Sequence, residues 1–261
     1  MEKKELLSLL AIDAEKSVGK IQKEKVPLHS LGLYKGDFEI IAMNEIINNK
    51  NFLQAKRNFY FAGLCSIKLF EEKEKNDDSI QDHDLFTWVM SFTSITIILS
   101  DDDEQYNTFF KYIGTQTYDK IPKKGEKFYW YNLVLGIKYI ALNQIIQSQK
   151  YINLAQESIS KNPPVKNSET RFWSRILLSI IQKDKILFRK SMDELLNYYK
   201  KIKNKSVDEL ICLSAMAFMI LARRVGFIVE YEHELISKEF ILSVSNSKIN
   251  LDSFFNILIK N

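Results

Sequence analysis

Apolar residues recur at three- and four-residue steps through almost the whole chain, a period that predicts helices rather than strands. Leu6, Leu9, Leu10, Ala14, Val18 and Ile21 make the first stripe, over Lys3 to Lys23, closed by Pro27 and Gly32. A second helix is expected from Tyr34, with Phe38, Ile41, Ile46 and Ile47, ending in the polar run Asn48-Asn49-Lys50-Asn51. A third carries Phe52, Phe59, Ala62, Leu64, Ile67 and Phe70, and the charged stretch Glu71 to Asp84 reads as an exposed loop. Ser79 and Asp82 frame a capping box ahead of the most apolar window, Leu85 to Leu99. That window falls short of the roughly 20 residues that span a bilayer, so it predicts a buried core helix. Tyr106, Phe109, Phe110 and Tyr112 mark the next helix, which stops at Gly114.

The second half is more regular. Tyr129 to Ile146 reads as one long run, with Leu133, Ile137, Ile140 and Ala141 on one face, and Tyr151 to Ile159 as its short partner. Pro163-Pro164 holds the next loop extended. Ser168 opens a helix with Phe172, Ile176 and Ile180, and Asp184 begins its partner, with Phe188, Met192, Leu195, Leu196 and Tyr199. Ser206 and Glu209 frame a capping box before Leu210 to Ala222. Phe227-Ile228-Val229 is a candidate short extended piece, and Leu251 to Ile259 reads as a last helix.

Only 8 Gly and 4 Pro punctuate 261 residues, so tight β-hairpins have few places to form. The fold class is therefore all-α: an irregular array of stacked antiparallel helical hairpins. Pairs near 129, 170 and 207, roughly 35 to 40 residues apart, make it partly tetratricopeptide-like, although no repeated consensus is visible. Residues 1–261 form one all-helical domain, and 114–125, around Pro122, is where it would divide.

The net charge is +4, from 37 basic and 33 acidic residues, whereas a nucleic-acid binder would show a larger and more clustered excess. Lys183, Lys185, Arg189 and Lys190, and the run Lys200, Lys201, Lys203 and Lys205, read as solvated charges near helix ends. Cys65 and Cys212 lie in apolar runs and are expected as buried free thiols in a reducing compartment. The N-terminal apolar stretch is too short and too acidic at its edges for a secretion signal. The expected location is cytoplasmic, without membrane or nucleic-acid partners.

There is no phosphate-cradling glycine loop, nucleophile elbow, HExxH or paired CxxC. Asp82-His83-Asp84 reads as solvated loop rather than a metal site, which needs three or four converging ligands. No catalytic residue, metal or cofactor is expected; the rival is an enzyme whose site gathers His83 or His233 with distant acids. Two acidic groups are candidate partner contacts: the run Asp101, Asp102, Asp103 and Glu104, and the trio Glu230, Glu232 and Glu234 around His233. One or two carboxylates complement a helix dipole, but four exceed it and could meet a basic protein site. A merely soluble helix start stays open, as does a water-facing connector for the trio. Arg223 and Arg224, ending an apolar helix, can bond C-terminal carbonyls or pair with a buried acid. Trp88, Trp130 and Trp173 are expected in the core.

Leu221-Ala222-Arg223-Arg224-Val225-Gly226-Phe227, followed by Ile228-Val229 and a polar lead into Leu235-Ile236, resembles the C-terminal pattern of the immunity protein 49 family. Phe172-Trp173, the run Phe188 to Leu196, and Leu33-Tyr34-Lys35-Gly36 fit the same resemblance. It implies an all-helical cytoplasmic protein of a bacterial polymorphic toxin system, which binds and neutralises a cognate toxin by occluding its active site, without turnover. The resemblance does not identify the toxin; if it is a nuclease, its site would be basic and the run Asp101 to Glu104 could mimic phosphate. The alternative is a helical-hairpin scaffold or adaptor that binds a peptide or protein in a concave groove.

Overall fold

The computed structural model describes residues 2–21, 30–74, 88–112, 126–161, 169–201 and 210–243. They form eleven α-helices and no strand. These are α1 (Lys3–Ile21), α2 (Leu31–Asn44), α3 (Phe52–Glu74), α4 (Trp88–Ser100), α5 (Asp103–Tyr112), α6 (Glu126–Ala141), α7 (Ile145–Lys161), α8 (Trp173–Gln182), α9 (Lys185–Lys201), α10 (Leu213–Arg224) and α11 (Lys238–Leu242). The all-α expectation holds. Both capping boxes, Pro163-Pro164, Asp82-His83-Asp84, the segment 114–125 and the helix expected over 251–259 lie outside the described residues, as does the side chain of Trp88.

Three boundaries differ from the sequence reading. First, α2 starts at Leu31 and passes into a π turn, Glu45–Asn49. Second, α3 continues to Glu74, taking up the start of the expected loop. Third, the run 129–146 is broken inside, because Asn143 adopts φ 56 between α6 and α7. Asn visits the left-handed region more readily than most residues, and one such residue suffices to end a helix. Phe227 to Val229 forms irregular backbone, not a strand.

One turn recurs four times. Lys50, Asp101, Asn143 and Lys183 have φ 55, 54, 56 and 53. Each is followed by a polar residue, Asn51, Asp102, Gln144 or Asp184. The carbonyl of that residue accepts the N–H of Ala55, Tyr106, Ser148 or Phe188, starting the next helix. Three residues before each left-handed position stands a buried isoleucine: Ile47, Ile98, Ile140 and Ile180. Side chains complete the caps: Asn51 Oδ1 accepts from Gln54 N, Asp102 Oδ1 from Gln105 N, and Asp184 Oδ1 from the N–H groups of Ile186 and Leu187. The hairpins α2–α3, α4–α5, α6–α7 and α8–α9 thus share one connection.

All four turns lie at one end of the bundle. Lys56, one turn into α3, reaches Asp101 at the α4–α5 turn. Arg224, at the end of α10, also reaches Asp101, and Phe227 just beyond it packs on Phe188 at the start of α9, ring centroids 5.6 Å apart. At the opposite end, Tyr129 near the start of α6 donates to the Thr170 carbonyl just before α8, and Phe92 of α4 meets Trp173, the first residue of α8, at 5.5 Å. Helices α4, α6 and α8 therefore start together and finish together.

The core runs along α4, α6 and α10. Residues 93–100, 129–137 and nearly all of 214–222 are buried, so these stretches of the three helices are enclosed on every side. Trp173 is fully buried between Phe92 and Phe218, and Trp130 is buried too. At Gly136 a Cβ would stand 2.6 Å from Ile152 Cγ1, so only glycine allows α6 and α7 to approach this closely. The Gly136 carbonyl accepts from Ser148 Oγ at 2.8 Å across the same contact. Cys65 and Cys212 are buried free thiols in separate core clusters.

Candidate functional site

The acidic run sits where α4 hands over to α5. The left-handed backbone at Asp101 turns its side chain inward, beneath α3 and the end of α10. That side chain is only 8% exposed and meets three cations. Oδ2 accepts from Lys56 Nζ at 2.9 Å and Arg223 Nη2 at 2.7 Å, and Oδ1 from Arg224 Nη1 at 2.9 Å. Arg224 also bonds Asp103, and its guanidinium lies 4.1 Å from the centre of the Tyr106 ring. Burial pushes the Tyr106 phenol above its ordinary value.

Lys56 is 1% exposed. Its second partner is the Ser243 carbonyl, and its ammonium stands 5.7 Å from the Phe240 ring centre. Arg223 likewise bonds the Ile241 carbonyl. These two carbonyls close α11, so cations rooted in α3 and α10 hold the C-terminal turn of a third helix. Burial lowers the Lys56 pKa, opposed by the charge and hydrogen bond of Asp101.

This geometry corrects the reading of 101–104 as four surface carboxylates. Asp101 is an internal counter-ion. Asp102 is a helix cap, Asp103 is exposed but paired with Arg224, and Glu104 is exposed. For Arg223 and Arg224, the alternative of a buried acid is realised in Asp101; the carbonyl that Arg223 bonds is Ile241 of α11, not one at the end of its own helix. Lys56 was missed. Its signal was helical phase: it falls on the stripe of Phe52, Ala55, Phe59 and Gly63, where a lysine is out of place unless paired.

The second acidic group runs beside α9. The Glu230 carbonyl accepts from Arg189 Nη2 at 3.2 Å, and Tyr231 Oη donates to Asp193 Oδ1 at 2.5 Å. Glu232 pairs with Lys238 and Glu234 with Lys200, each at 2.7 and 2.6 Å, and those hydrogen bonds hold both carboxyls below their ordinary range. His233 Nδ1 accepts the Leu235 N–H at 3.1 Å; burial, then Lys200, lowers its pKa. Glu230, Glu232 and Glu234 are exposed, and the imidazole is engaged with backbone rather than poised in a cleft. The two acidic groups thus stand apart, one at the α4–α5 turn and the other on the irregular segment between α10 and α11. Among the described residues no group of three or more His, Cys, Asp or Glu side chains is arranged to hold a metal ion, and no helix is long and apolar enough to cross a membrane.

Compared with protein-family models, curated proteins and solved structures, the chain matches none of them. The stretch Leu221 to Phe227 serves the fold itself. Leu221 and Ala222 are core, Arg223 and Arg224 neutralise Asp101, and Gly226 at φ 70 lets the chain turn back along α9.

Proposed function

We propose that the chain is a cytoplasmic immunity protein that binds a cognate bacterial toxin and covers its active site, working by occupancy rather than turnover. The observation that carries this reading is the burial of 93–100, 129–137 and most of 214–222: among the described residues, what the bundle offers a partner is its outer helices and turn end. The resemblance at 221–227 supports the same reading. A basic toxin site, such as a nuclease's, would meet the exposed carboxylates Asp103, Glu104, Glu230, Glu232 and Glu234. Asp101 stays internal.

The test is to read the adjoining genes for a toxin-like domain and to co-express any such domain with this chain. Growth rescue, a one-to-one complex and loss of toxin activity are expected. Absence of both binding and rescue overturns the reading. The recurrence of one turn in four hairpins favours a second reading, a hairpin scaffold for a protein partner; stable binding without any effect on toxin activity would select it.

A further inference from the structure

We propose that the turn end of the bundle docks against a second copy of this chain, related by a twofold axis. Of the eight large aliphatic side chains left exposed among the described residues, five belong to this end: Leu53, Ile146, Ile186, Ile228 and Leu242. Leu53, Ile146 and Ile186 occupy the same position in their turns, two residues past the polar cap. Ile146 is 84% and Ile186 83% exposed. Ile228, 72% exposed, follows Phe227, which packs on Phe188. Leu242 lies between the two carbonyls held by Arg223 and Lys56. Single exposed aliphatics are ordinary, but concentration at one end is the mark of an interface.

Charge selects the occupant. In the α4–α5 turn the equivalent position is the exposed Glu104, next to Asp103, whose charge Arg224 offsets, and to Asp102, so the acidic charge of this lobe is that of Asp102 and Glu104. The α8–α9 turn carries exposed Lys183 and Lys185, with Lys190 one turn on, against the single acid Asp184. One end thus bears both signs in separate turns. A twofold axis sets each acidic lobe against the basic lobe of the other copy, while the aliphatic positions meet between them. A foreign partner would need the matching dipolar pattern; a second copy has it already. This inference does not depend on the toxin reading; a toxin docked on Asp103 and Glu104 would compete with the second copy for the turn end.

Sedimentation velocity of the full chain, from about 1 to about 100 µM, tests it. A dimer is expected that weakens between about 0.05 and 0.5 M salt, as screening predicts. Ile186→Ser, and separately Lys183→Asn with Lys185→Glu, should each raise its dissociation constant about tenfold or more, roughly 1.4 kcal/mol. These positions are exposed, so far-UV circular dichroism should stay that of the parent. A monomer throughout the range overturns the proposal. So does a dimer indifferent to both variants.

Discussion

Lys56 and Asp101 form an ion pair inside the bundle, Nζ to Oδ2 2.9 Å, although 45 residues separate them. The pair is asymmetric in what each partner can lose. Asp101→Asn leaves Lys56 and Arg223 without a carboxylate and Arg224 with Asp103 alone, and should cost about 3–5 kcal/mol. Lys56→Met leaves Asp101 with both arginines and should cost about half as much or less. Urea unfolding of the two variants checks the order; equal losses would mean that the arginines do not share the load.

The four left-handed residues provide an internal control. Lys50 and Lys183 are exposed and carry the strain of φ > 0, so glycine at either should stabilise by about 0.5–1 kcal/mol. Asp101 has nearly the same φ, yet Asp101→Gly should destabilise, because its carboxylate is the counter-ion of the cluster. Thermal midpoints of the three variants should therefore move in opposite directions.

Gly136→Ala drives a methyl into Ile152 at the α6–α7 contact. The expected loss is about 1–3 kcal/mol from overpacking. Combining it with Ile152→Ala, which removes the Cγ1 and Cδ1 atoms that the new methyl would meet, should cost less than the two changes summed. If the double variant only adds the two costs, the close approach is not what the glycine serves.

Burial pushes the Cys65 and Cys212 thiols from 9.0 up to about 12. A raised folded pKa gives stability that is complete below pH 9 and is lost as pH climbs towards 12, because the unfolded thiols ionise first. At pH 8 a thiol reagent should label neither cysteine in the native protein and both in urea. Stability should fall between pH 9 and 12, and Cys65→Ala with Cys212→Ala should flatten that decline.

The helices were legible because their periodicity is strong. The enclosed α4 announced itself as the most apolar window, and Asp184 as a cap. The recurrent turn was not legible. It repeats only one isoleucine and one polar residue, while its defining feature, a left-handed residue, is spelled Lys, Asp, Asn and Lys. The fate of 101–104 was hidden for a different reason. Adjacent carboxylates read alike in sequence, but each step along a helix start points a side chain in a new direction, inward for Asp101 and outward for Glu104. Arg223 and Arg224 signalled a buried acid without identifying which one. Lys56 could have been found by asking why a lysine falls on an apolar stripe.

The hydrogen bond from Lys56 to the Ser243 carbonyl spans 187 positions, which bears on how the protein is made. During translation α3 leaves the ribosome long before α10 and α11 exist. Until those helices arrive, the ammonium of Lys56 has neither the Ser243 carbonyl beside it nor the arginines completing the set around Asp101. Native closure must then await nearly the entire polypeptide, as high contact order slows folding. A nascent chain that stops short of α10 would hold Lys56 and Asp101 without either arginine or the Ser243 carbonyl.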